Sequence, residues 1–136
     1  MPEISNVLRI GRIRLISVEY GYNETFKPDP KGKIPVEFSL NPKIKRLKNE
    51  KKAVVSLEFK LFEKNTKKFP IWAKIKNQAE FEWDTDDEMA ENLLKTAAPA
   101  HLLSYIRPLV SQLTTMSDLP ALIIPLMRFS KEEVTE

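Results

Sequence analysis

Hydrophobic and polar positions alternate strictly along three stretches of this chain. Residues 34–41 set Val36, Phe38 and Leu40 against Glu37 and Ser39. Residues 53–62 set Val55, Leu57, Phe59 and Leu61 against Ser56, Glu58 and Lys60. Residues 71–83 set Ile71, Ala73, Ile75, Ala79, Phe81 and Trp83 against Lys74, Lys76, Gln78, Glu80 and Glu82. Side chains of a strand point to alternate faces, so each pattern predicts a strand with one buried face. Residues 7–20 are rich in β-branched and aliphatic residues but change phase. Ile13 and Leu15 share one face with Gly11, while Ile16, Val18 and Tyr20 share the other. This predicts one long strand, bulged near Gly11 or Ser17. Gly21, Asn23, Pro28, Asp29, Pro30 and Gly32 make residues 21–33 a loop that carries Tyr22 and Phe26, and Asn65-Thr66-Lys67-Lys68 is a turn.

The pattern then changes period. Thr85-Asp86-Asp87-Glu88 matches a capping box, in which Thr85 accepts from the Glu88 amide and Glu88 reaches back. It predicts a short helix over 86–95 that buries Met89, Leu93 and Leu94. A second helix starts near Pro99, and Leu102, Leu103, Ile106, Leu109, Val110 and Leu113 form one stripe along it. Pro108 falls inside the stripe and predicts a kink or the end of a turn. Asp118 and Pro120 end the helix. Leu119–Phe129 is an apolar extended segment broken by proline, and Ser130–Glu136 is a polar tail. Four strands followed by helices give an α+β class, a four-stranded antiparallel sheet with helices packed on one face. The whole chain, 1–136, is one domain with its core between about 7 and 129. Such a domain is thin, and apolar residues on both faces of the first strand imply that a second subunit completes it.

Composition removes most catalytic chemistry. The 136 residues contain no cysteine, one histidine (His101) and three glycines (Gly11, Gly21, Gly32). Thiolate metal sites, cysteine nucleophiles, paired histidines and glycine-rich phosphate loops are therefore absent. The reading is of a protein that is not an enzyme, with no catalytic residue, no metal and no cofactor. An enzyme built on Asp86, Asp87, Glu88 and His101 is the weakest reading, because adjacent helix residues point in different directions and capping accounts for the acids. No basic segment followed by an apolar run opens the chain. Its longest apolar stretch, near Leu119–Met127, holds Pro120 and Pro125 and is far shorter than the ~20 residues that span a bilayer. A cytoplasmic protein with no membrane partner is expected.

Charge adds a second hypothesis. The net charge is +3. Lys43, Lys45, Arg46, Lys48, Lys51 and Lys52 lie close together against one acid, Glu50. A solvated loop between strands is the plain reading of this run. The alternative is a nucleic-acid-binding or regulatory module using the Lys43–Lys52 loop. The run has no aromatic within it, which speaks against nucleic acid.

Three local patterns, taken in order, resemble the bacterial export chaperone SecB and the wider SecB-like superfamily. Ile10-Gly11-Arg12-Ile13 looks like the isoleucine–x–arginine–isoleucine run of the family's first strand. Pro99 followed by Tyr105-Ile106-Arg107 looks like the family's main helix. Pro120-Ala121-Leu122-Ile123-Ile124, ending at Phe129, looks like its extended tail segment. The likeness covers roughly residues 8–129. It implies a holdase, a dimer of dimers that holds unfolded or nascent client proteins in hydrophobic grooves without nucleotide. Carried onto this sequence, the groove residues are Tyr20, Tyr22, Phe26, Phe81, Trp83, Leu122, Leu126, Met127 and Phe129. The subunit interfaces fall to Ile13, Leu15, Ile16, Val18, Leu102, Ile106 and Leu109. Classical export chaperones are acidic and offer acidic residues of the sheet's outer face to the translocase ATPase, where this chain has Lys74 and Lys76. Their zinc-binding tail is replaced by Lys131-Glu132-Glu133-Val134-Thr135-Glu136. These departures speak against translocase docking and for a dedicated client or a toxin–antitoxin pair.

Overall fold

The computed structural model describes residues 8–27, 37–47, 49–62, 64 and 66–116. Its elements are β1 (Leu8–Tyr22), β2 (Phe38–Arg46), β3 (Lys52–Leu61), β4 (Ile71–Trp83), α1 (Asp87–Lys95) and α2 (Ala97–Met116). The four strands form one antiparallel sheet in the order β1-β4-β3-β2. Both helices lie on its inner face, α2 across β3 and β4 and α1 beside α2. The α+β class is as expected. Val36, Pro28, Asp29, Pro30, Gly32, Asn65 and Lys48 lie outside the described residues, as do the segment 119–129 and the tail 130–136.

β4 is the axis of the sheet and its cleanest alternation. Ile71, Ala73, Ile75, Ala79, Phe81 and Trp83 are buried beneath the helices, and their neighbours are only partly covered. Val55, Leu57, Phe59 and Leu61 extend the core on β3. Leu94, Leu102, Leu103, Ile106 and Val110 close it from above. Each such side chain contributes roughly 1.5–3 kcal/mol by leaving water, so this sandwich is the main source of stability.

β1 differs from its expected geometry. It runs to Tyr22, so Gly21 and Tyr22 belong to the strand and not to the following loop. Two register shifts against β4, between Ile10 and Ile13 and between Leu15 and Ser17, each insert an extra residue. An extra residue flips the phase of everything after it. Leu8, Ile10, Ile13, Leu15, Val18, Tyr20 and Tyr22 consequently pair with inward-facing positions of β4 and share one face. The expectation that Ile13 and Leu15 oppose Val18 and Tyr20 is corrected: the bulges absorb the phase change.

The basic run is also corrected. Residues 41–46 are not loop but the second half of β2, in register with Ala53–Glu58 of β3. Leu40, Pro42 and Ile44 face inward, so the alternation continues through the lysines. Pro42 is tolerated because β2 is an edge strand with one unpaired side. Lysines along such an edge discourage pairing with another chain. The turn into β3 is closed by hydrogen bonds from Leu47 N to Lys52 O (3.0 Å) and from Glu50 N to Leu47 O (3.2 Å), with Asn49 in the left-handed region at φ 62°.

α1 starts one residue later than the capping box implies. Asp86, not Thr85, is the N-cap, and its carboxylate accepts from Met89 N at 2.8 Å. The buried residues of α1 are Ala90 and Leu94; Met89 is exposed and Leu93 half-buried. α2 begins at Ala97 and passes through Pro108 without ending. Pro108 lies on the exposed side, and Ser104, whose carbonyl loses the i+4 donor there, is exposed to water.

Candidate functional site

The far half of β1 forms the largest uncovered apolar feature among the described residues. Leu15 is 58% exposed, Val18 40%, Tyr20 39% and Tyr22 60%. All four lie on the sheet's inner face, continuous with the core, but beyond the reach of α1 and α2. Ile16, the residue added at the second bulge, is 45% exposed. Single exposed apolar residues are ordinary; five on one edge strand form an exposed apolar strip.

The chain leaving β1 is fastened at Asn23. Its amide N–H donates to Pro70 O (2.7 Å), its side-chain Nδ2 donates to Phe69 O (2.9 Å), and its carbonyl accepts from Phe26 N (2.9 Å). Lys27 N donates to Lys67 O (3.1 Å). These bonds bind the exit segment to the start of β4 and hold Phe26, half-buried, just past the Tyr20–Tyr22 end of the strand. The neighbouring Phe62 stacks on Phe69, ring centroids 4.6 Å apart, and adopts φ 58° at the end of β3. An aromatic residue rarely takes that conformation, and the stacking and the bond from Phe62 N to Glu37 O (2.9 Å) hold it there.

The expected groove residues divide into three groups. Tyr20, Tyr22 and Phe26 lie together at the far end of β1. Phe81 and Trp83 are core residues, 0% and 3% exposed, with Trp83 Nε1 donating to Asp87 Oδ1 at 3.1 Å. Their placement in the groove is corrected, because they sit on the inward face under the helices. Leu122, Leu126, Met127 and Phe129 lie outside the described residues. Of the expected interface residues, Leu15, Ile16 and Val18 are exposed, and Ile13 and Leu109 are half-buried against the core. Leu102 and Ile106, 0% and 1% exposed, are inside the subunit, since α2 turns them onto β3 and β4. The expected alternation kept Leu15 apart from Val18 and Tyr20. Reading both candidate bulges, at Gly11 and near Ser17, would have joined them.

The acidic cluster has structural partners. Asp86 caps α1, Asp87 accepts from Trp83 and lies 3.8 Å from Lys51 Nζ, and Arg9 pairs with Asp84 and, at 3.3 Å, with Glu82. The Arg9 guanidinium holds the exposed Asp84 carboxyl below its usual pKa. Among the described residues no group of three or more His, Asp or Glu side chains is placed to hold a metal ion. His101 packs edge-on to Tyr105, and burial lowers its pKa. No helix among the described residues is long and apolar enough to cross a membrane.

A twisted antiparallel sheet in the order β1-β4-β3-β2, with two helices on its inner face, is the SecB-like fold. The SecB-like chaperone Rv1957 of Mycobacterium tuberculosis, solved with a ChAD peptide from the antitoxin HigA1 (Rv1956), superposes with a TM-score of 0.71 at 20% identity, covering 89% of this chain and 91% of that one. A Streptococcus agalactiae protein of unknown function matches at a TM-score of 0.50 and 11% identity, over 89% of this chain and 99% of that one. No family model and no curated protein matches the sequence.

Proposed function

We propose that this protein is a SecB-like holdase, which keeps non-native polypeptides from aggregating by covering their apolar segments on the β1 face, without nucleotide. The observation that carries this reading is the row Leu15, Val18, Tyr20 and Tyr22, an apolar strip on the core side of the sheet that the chain's own helices leave open. Aromatic and branched side chains on a half-covered edge suit adaptable apolar clients. The likeness to a chaperone solved with an antitoxin peptide supports a dedicated client, such as the antitoxin of a toxin–antitoxin pair, over general secretion.

The same strip is long enough to serve assembly and client binding together. Leu15, Ile16 and Val18 fall to contacts between copies, in a homotetramer built as a dimer of dimers. Tyr20, Tyr22 and Phe26, at the outer end, fall to clients. The test is suppression of aggregation of a reduced, unfolded protein, combined with native mass measurement. A species near 63 kDa, four times the 15.7 kDa chain mass, and suppression at stoichiometric amounts are expected. Tyr20→Ser with Tyr22→Ser should abolish suppression while leaving the mass unchanged. A monomer, or full suppression by that variant, overturns the proposal.

A further inference from the structure

The outer face of the sheet carries a feature that client binding on the inner face does not use. Along β4 and its neighbours its cations run from Lys64, Lys60 and Lys74 at one end, through Lys76, to Arg14 and Arg12 at the other. A shallow cavity lies at each end. One, of about 400 Å³, is lined by Trp72, Phe62, Lys60, Lys64 and Lys74, with Glu19 among them. The other, of about 390 Å³, lies beneath Arg12 and Arg14, over Val54 and Gln78. The first bulge of β1 places Arg12 there beside Gly11.

Three acids of this face are engaged, and a fourth, Glu19, stands in register with Lys74. Glu58 is shared by Lys60 (3.7 Å) and Lys74 (3.8 Å), Glu80 lies 3.8 Å from Lys52, and Glu82 is held by Arg9. Among the described residues, Arg12, Arg14 and Lys76 have no carboxylate within 4.0 Å, and Lys64 lies 4.7 Å over the Trp72 ring. Cations two residues apart on a strand are separated by about 6.8 Å, the spacing of alternate side chains in an extended peptide.

We propose that this face is a second docking surface, for an extended acidic segment of a partner protein lying along β4 from Trp72 to Arg12. An acidic peptide fits better than a nucleic acid for two reasons. Glu19, Glu58, Glu80 and Glu82 remain on the face; a peptide can set neutral residues beside them, whereas a phosphate backbone carries charge at every step. Of the two rings at the Trp72 end, Phe62 is stacked on Phe69 and Trp72 lies under Lys64, so neither is open to a run of bases.

The test uses the full chain and a fluorescein-labelled ten-residue peptide of alternating Glu and Ser, which spans the strip at ~3.3 Å per residue. Its controls are the same peptide with Gln for Glu and a ten-nucleotide oligothymidylate. Anisotropy should report binding of the acidic peptide that weakens with salt, with no binding of the Gln peptide. Arg12→Gln, Arg14→Gln and Lys76→Gln together should weaken it about tenfold, the summed effect of three exposed pairs. This variant should still suppress aggregation, and Tyr20→Ser with Tyr22→Ser should still bind the acidic peptide, so this surface and the client surface fail separately. Unchanged binding after neutralisation, no binding of the acidic peptide, or tighter binding of the oligothymidylate overturns the proposal.

Discussion

Asn77 offers the sharpest check of the fold. It sits on the inward face of β4, 2% exposed, where its neighbours are apolar. Its Nδ2 donates to the carbonyl of Leu102 on α2 at 3.0 Å, while Oδ1 has no donor. The change Asn77→Asp keeps the shape and exchanges that donor for an oxygen, so a carboxylate faces a carbonyl inside the core. Burial of this kind raises a carboxyl pKa by roughly 3–5 units. At ~1.4 kcal/mol per unit, the roughly three pH units between the unfolded value near ~3.9 and pH 7 make the loss about 4 kcal/mol at neutral pH, a large part of a typical domain's stability. The sign follows from the raised pKa. Below the unfolded value near ~3.9 the acid is neutral in both states and can donate to Leu102. As pH rises toward the folded value the unfolded chain loses its proton first, and stability falls. Urea unfolding followed by tryptophan fluorescence, at fixed protein concentration and pH 4.5, 7 and 8.5, gives the difference from the parent. That difference should grow with pH between the first two points. A constant difference under ~1 kcal/mol at every pH would show that Asn77 does not face Leu102 from inside the core.

Three further outcomes follow from local geometry. A Cβ on Gly21 would run into the Trp72 indole at Nε1, so Gly21→Ala should cost roughly 1–3 kcal/mol; beside Trp72→Ala it should cost nothing, and equal costs in both backgrounds in a urea double-mutant cycle would refute the contact. Asp86→Ala should destabilise by ~1 kcal/mol in the same assay and Thr85→Ala by much less, because only Asp86 accepts from the first turn of α1; the reverse order would restore the Thr85 cap. His101 has a lowered pKa in the folded chain, so it is protonated more readily when unfolded and stability drains as pH falls below 6.5; His101→Gln should flatten that part of the pH–stability curve, and an unchanged slope would assign it elsewhere.

Much of this architecture was legible in the alternation. β3 and β4 need only a period of two, and the stripe of α2 needs only its three- and four-residue spacing. The second half of β2 is masked in sequence by its charge: Leu40, Pro42 and Ile44 carry the inward phase through a run of lysines that has the composition of a loop. The start of α1 is ambiguous in sequence because Thr85 and Asp86 are adjacent residues of N-cap type, and it is Asp86 that accepts from Met89 N. Asn77 escaped notice because an asparagine in an apolar face leaves no mark on the pattern; only its packing against Leu102 gives it a role. Phe81 and Trp83 were read as groove residues because sequence shows that a face is apolar but not how far a helix covers it.

β1 shows why that coverage matters. Without the bulges, a strict alternation would put Leu15 on one face and Val18 and Tyr20 on the other. Each face would then hold a few scattered apolar residues, and neither would make a surface. Each added residue turns the following side chains over, so the two together return every large apolar residue after Ile13, apart from the bulged Ile16, to the inner face. The same shifts leave Arg12 and Arg14 to the outer face, beside its second cavity. One irregular strand thereby sorts its residues by chemistry, apolar toward the helices and cationic away from them. The strand is also an edge, and its apolar inner row is too exposed to be left bare in water. An edge of this kind resists aggregation only when something binds it. A protein whose partners are themselves exposed apolar segments can keep such an edge open, and so the feature that would be a defect in an isolated domain supports the holdase reading.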